Sequence, residues 1–175
     1  MKILSIDEAR GLIGFSSADA AMRSIRQALP LACGPYLVPA DAGIKTALAR
    51  QFANFLFTNL GDLILCVRGW KFWPSAENFD LFDGYRISIG ETRPLWEAPI
   101  HVFTRGEEPA LASILNLGLF FYWDMEVFDA DSNALFTFSH DEWMEFRLKN
   151  QEEADQLTGE LTGFNLKEFG GVMRP

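Results

Sequence analysis

Apolar positions along this chain follow a helical period in its first third and a period of two further on. Ile44, Leu48, Phe52 and Phe55 fall at i, i+4, i+8 and i+11. That is one apolar stripe, and it predicts a helix that Asp41 caps and Asn59-Leu60-Gly61 ends. Ala42, Ala47, Ala49 and Ala53 raise its helix propensity. Leu63 to Val67 is an almost continuous apolar run with branched residues, which suits a strand buried on both faces. From Phe120 the period is two. Phe121 to Phe128 alternates after its aromatic start, Asp129 to Asn133 is turn chemistry, and Ala134 to Phe138 returns. A hairpin over 120–139 follows. Met144, Phe146 and Leu148 then alternate with Glu145 and Arg147, which favours a third meander strand. Ser139-His140-Asp141-Glu142 has a capping-box pattern that would instead start a helix there.

Local stop and start signals divide the rest. Ser5-Ile6-Asp7-Glu8 is a capping box before a short helix that runs to Ile13. Ser16 and Ser17 can cap a second helix that Pro30 ends after Leu29. Gly34, Pro35 and Pro39 predict a loop over 30–40. Trp70, Phe72 and Trp73 crowd a second loop ended by Pro74. Ser75 can cap a helix carrying Phe79, Phe82, Tyr85 or Arg86, and Ile89, although Gly84 lowers its propensity. Pro99 to Phe103 reads as a strand. Glu107-Glu108-Pro109 reads as a helix start, with Leu111, Ile114 and Leu115 on one face and Gly118 at the end. A last helix from Gln151 carries Ala154, Leu157 and Leu161.

This order predicts an α+β fold: N-terminal helices packed on one face of a mainly antiparallel sheet, then a C-terminal β-meander and a final helix. The 175 residues suit one domain over 1–175, with a helical part over about 1–60, a mixed part over about 61–165 and a frayed tail over 166–175.

Composition narrows the class. With 49% apolar and 14% aromatic residues, the chain has enough apolar side chains for a large core and is not disordered. The net charge of −9 is unevenly placed: residues 89–175 carry 16 Asp or Glu against 6 Lys or Arg. From Asp124 to Glu160 there are 11 acids and two bases, Arg147 and Lys149. That excludes nonspecific nucleic-acid binding, which needs clustered cations. Asp7, Glu8 and Arg10 interrupt any signal core at the N-terminus. The most apolar stretch, Leu111 to Trp123, is shorter than the roughly 20 residues of a membrane span. Cys33 and Cys66 read as reduced core thiols. The expectation is a soluble, cytoplasmic, bacterial-type protein without a cofactor.

Candidate chemistry is sparse. His140, Asp141 and His101 are the candidate acid–base residues, with Arg86 or Arg105 beside His101 to bind an anion. Asp124, Glu126 and His140 would ligate a divalent cation if the hairpin folds His140 back, yet no spacing such as His-Glu-x-x-His is present, so no metal is expected. Trp70, Trp73 and Tyr85, with His101, are candidates to line an aromatic ligand pocket. Nucleophile elbows and nucleotide-binding glycine loops are absent.

The positive signal is charge. Trp123, Asp124, Glu126, Glu142, Trp143 and Glu145 form a candidate binding face, acids with embedded tryptophans. It points away from an enzyme, to a protein–protein interaction module with an acidic face, of the inhibitor or immunity type, whose partner is a basic protein. Small bacterial immunity proteins share this general character, although no family motif is present. The alternatives are a metal-assisted hydrolase and a small-molecule binding or sensing domain. The aromatic content is compatible with a homodimer.

Overall fold

A computed structural model describes residues 1–13, 18–69 and 76–170, without the side chains of 12, 13, 18, 19, 21 and 76–79. Among the described residues, seven strands form one antiparallel sheet: β1 Lys2–Leu4, β2 Leu31–Leu37, β3 Leu63–Gly69, β4 Ile100–Phe103, β5 Asp124–Asp129, β6 Ala134–Phe138 and β7 Trp143–Leu148. Their spatial order is β1-β4-β3-β5-β6-β7-β2, so β5 to β7 are the expected meander. Six helices accompany them among the described residues: α1 Ile6–Ile13, α2 Ala18–Ala28, α3 Ala42–Asn59, α4 Ala76–Ser88, α5 Glu108–Phe121 and α6 Gln151–Thr162. None is long and apolar enough to cross a membrane.

Local signals start the helices. Ser5 and Glu8 form the reciprocal capping box at α1: Ser5 N donates to Glu8 Oε2 at 2.6 Å and Glu8 N to Ser5 Oγ at 3.2 Å. Asp41 Oδ1 accepts from Ile44 N at 2.8 Å and caps α3. Asn150 caps α6 in the same way through Glu152 N.

Alternation along each strand sorts two cores. Leu63, Leu65 and Val67 of β3 face one core with Phe136, Phe138 and Phe146, under α3, α5 and α6. Phe52 of α3 is its hub, with its ring centroid 4.8 Å from Phe146 and 5.6 Å from Phe136. Ile64 and Cys66 face the other way, joining Phe128 and Leu135 beneath Met22 and Ile25 of α2 and Leu29 just after it. β3 is thus buried on both faces, as its unbroken apolar run implies.

Several expectations are corrected. Helices cover both faces of the sheet, not one. The stretch 30–40 is not all loop, because Leu31–Leu37 is the edge strand β2, paired with β7 and irregular between Cys33 and Tyr36. An edge strand tolerates Gly34 and Pro35 because half its backbone groups need no ladder partner. The part over 1–60 is therefore not purely helical, and β1 adds a further strand to it. Gly118 does not end α5. The helix runs on to Phe121 and closes on Tyr122, left-handed at φ 51°. Phe121 accordingly belongs to a helix rather than to a hairpin strand. The segment 166–170 is not frayed: Leu37 N donates to Lys167 O at 2.8 Å and Phe169 N to Pro35 O at 2.9 Å, with Tyr36 bridging Glu168. The caps at Ser16, Ser17 and Ser75 lie outside the described residues, as do the rings of Trp70, Phe72 and Trp73.

Candidate functional site: a charged cleft on the α2 face

Polarity on the α2 face changes along the strands. Ile64, Phe128 and Leu135 sit under α2, while the next inward-facing positions are polar. Register sets Cys66 beside Glu126, Glu126 beside Thr137, and Thr137 beside Glu145, a row across four adjacent strands. One further step along the strands come Arg68, Asp124, Ser139 and Trp143. Together with Arg23 and Arg26 of α2 they line a cleft of about 610 Å³.

Charges in this cleft are held by one another. Glu126 and Glu145 are 4% and 2% exposed, a burial that is costly for a carboxylate without a partner. Arg68 Nη1 donates to Glu126 Oε1 at 3.0 Å. Arg147 grips Glu145 with a two-bond fork, Nε to Oε2 at 2.9 Å and Nη2 to Oε1 at 3.1 Å. Arg26 Nη2 donates to Thr137 Oγ1 at 3.0 Å. At the mouth, Asp124 Oδ1 accepts from the His140 backbone N at 2.8 Å and lies 2.9 Å from His140 Nδ1. The carboxylate thereby fixes both the turn and the ring, which is how an acid orients a histidine for proton transfer. His140 Nε2 stands 3.6 Å from Asp141 Oδ1.

The β6–β7 connection presents Asp141 and Glu142 to solvent beside this pair. It is a tight turn rather than a helix cap: Glu142 N donates to Ser139 O at 3.1 Å and Asp141 N to Ser139 Oγ at 3.2 Å. Glu142 has φ 64°, a conformation that costs an L-residue energy.

The candidate residues from the sequence separate here. Asp124, Glu126, His140 and Asp141 all line the cleft, and Asp124 and His140 touch. Glu126 is joined to Arg68 instead, and no group of three or more metal-ligating His, Cys, Asp or Glu occurs among the described residues. The acidic binding face needs correction. Glu126 and Glu145 are buried, and so are Trp123 and Trp143, so the tryptophans are not surface anchors. Trp123 packs edge-on against Phe82, and Trp143 against Phe169. Of the expected face, Asp124 is part-exposed and Glu142 exposed.

His101 lies apart from this cleft, sealed on the opposite face of the sheet beside Arg86 and Phe82. Burial, and then the Arg86 charge, hold it down to about 3, so it is neutral. It has no path to a substrate as a general base. Tyr85 is half-buried against Phe82, and the two tryptophans expected to join it in a pocket lie outside the described residues. Cys33 and Cys66 lie on opposite faces of the sheet, Cys33 against the core under α3, α5 and α6 and Cys66 in the core under α2. The cleft arginines Arg23 and Arg26 are the residues that sequence reasoning missed; their i, i+3 spacing on a helix is the signal that was there to find.

Fold and site define an α+β protein with a charged cleft on one sheet face. Compared with protein-family models, with curated proteins and with solved structures, the chain matches none of them.

Proposed function

We propose that this protein is a non-enzymatic interaction module that engages a basic protein partner through the acidic β6–β7 turn at the mouth of the cleft. One observation carries the reading. Exposed Asp141 and Glu142 are presented on a strained, hydrogen-bonded turn beside the Asp124–His140 pair, at the ends of two inner strands of the sheet. Fixed charges of one sign steer a partner of the other sign, and a preorganised turn lowers the ordering cost of docking.

The test is charge reversal where the acids are exposed. Partners captured from a native extract at low salt are purified, and their association rates measured with the Asp141→Lys/Glu142→Lys protein. The rate is expected to fall about tenfold or more at low salt, and less at high salt. If every captured partner associates at an unchanged rate, the reading fails. The contact between Asp124 and His140 favours a second reading, metal-assisted hydrolysis. A thermal shift with Mn²⁺, Mg²⁺ or Zn²⁺ that His140→Ala abolishes would select it, and a flat panel would remove it.

A further inference from the structure

We propose that the α2 side of the cleft binds a small organic oxyanion, a molecule bearing a phosphate or carboxylate group, between Arg23 and Arg26. Glu145 is the reason. Its two oxygens are already taken by the Arg147 fork, so its charge is neutralised once. Arg26 is a second cation over the same carboxylate. Its Nη1 stands 3.4 Å from Glu145 Oε2, longer than the ~2.7–2.9 Å of a good charge-assisted bond. Its other terminal nitrogen goes to the Thr137 hydroxyl. Arg23, one helical turn earlier, lines the same cleft, is exposed, and forms no ion pair among the described residues.

Arg68 and Glu126 balance each other elsewhere in the lining, and Asp124 lies against His140. Glu145 thus has two guanidinium groups, Arg147 and Arg26, on one carboxylate, with Arg23 one turn along α2, while the acids that line the cleft are Glu126 on Arg68, Asp124 on His140, and Asp141 at the turn. Arginine heads offer paired N–H donors that match two oxygens of a carboxylate or phosphate. Thr137 adds a hydroxyl within reach of Arg26. The cleft volume of about 610 Å³ lies in the range that holds small organic molecules, and exceeds what a bare ion fills. The groups stand on a helix and on sheet strands, which hold them at fixed spacing. This site uses the arginines and not the acidic turn, so either proposal can fail while the other stands.

Inorganic phosphate and succinate are the probes, titrated separately into the whole protein and followed by amide chemical shifts. At least one is expected to give saturable shifts at Arg23, Arg26, Thr137 and His140, and the one that does so identifies the oxyanion. Arg26→Gln should weaken binding about tenfold, the effect of losing one charge-assisted bond. Arg23→Gln, a change at an exposed position, should weaken it severalfold in a chain that folds normally. Absence of saturable shifts with both probes overturns the proposal. So does undiminished binding in both variants.

Discussion

At the scale of single residues, the sharpest case is a histidine that the fold keeps from taking a proton. His101 Nε2 lies 3.3 Å from Arg86 Nη1, and both side chains are buried. Arg86 also donates to Ala98 O and Arg93 O at 2.9 Å, so it is pinned where an imidazolium would be a second cation beside it. The folded pKa near 3 lies below the ordinary 6.5, so the native protein stays neutral at His101 where the unfolded chain takes up a proton. The associated stability is whole above about pH 6.5 and is lost as pH falls from there towards 3. Glu8 and Glu91, both held near 2 by hydrogen bonds, lose their contributions only below their ordinary 4.5. Between pH 6.5 and 4.5 the His101 effect is separate from theirs, and Glu153, raised above 4.5 by burial, acts with the opposite sign. Urea-unfolding free energy should fall there by up to about 1.4 kcal/mol per pH unit, one proton's worth. In His101→Gln, whose amide oxygen can still accept from Arg86, that slope should flatten. Equal slopes in the two proteins would show that the proton is taken up elsewhere.

At the scale of elements, two glycines inside helices have opposite reasons for being there. Gly84 of α4 faces open space, and a methyl group added there meets nothing. Gly118 of α5 faces Met125, and a methyl group would overlap the Met125 thioether sulfur and its terminal carbon. Gly84→Ala should therefore raise stability by about 0.5–1 kcal/mol through helix propensity. Gly118→Ala should lower it by about 1–3 kcal/mol through overpacking. Denaturation midpoints of the two variants are expected to move in opposite directions, and movement in the same direction would refute the packing account. The same pair shows what is legible in one dimension. The elements α3, β3, β6 and β7 are readable because cap, stripe and alternation are local. Gly118 misleads because its cause is a side chain on the next strand. Strand β1 is too short to display a period, and β2 carries Gly34 and Pro35 and exists through its pairing with distant β7.

At the scale of the molecule, the acidic excess between Asp124 and Glu160 does not map onto one acidic surface. Asp124 and Glu126 line the same cleft, and His140 of the β6–β7 turn lies against Asp124. Net charge by segment could not show that Arg26 and Arg68, far away in sequence, would be drawn over Glu145 and Glu126. The outer edge of β2 depends on similarly distant residues. Residues 167–169 lie along it, with two backbone hydrogen bonds and the Phe169 ring 6.3 Å from Trp143 at the cleft wall. A bare edge strand exposes backbone donors and acceptors that another chain can pair with. Deleting residues 166–175 should uncover that edge and loosen the Trp143 wall. The expected loss is about 1–3 kcal/mol, or about 2–8 °C in Tm, for two hydrogen bonds and one aromatic contact. The sedimentation mass of the truncated chain should rise with concentration beyond that of the full chain. If truncation changes neither mass nor melting, residues 167–169 do not guard the edge. If melting falls while the mass is unchanged, they brace Trp143 and the turn beside it, and β2 resists pairing through its own irregularity at Gly34 and Pro35.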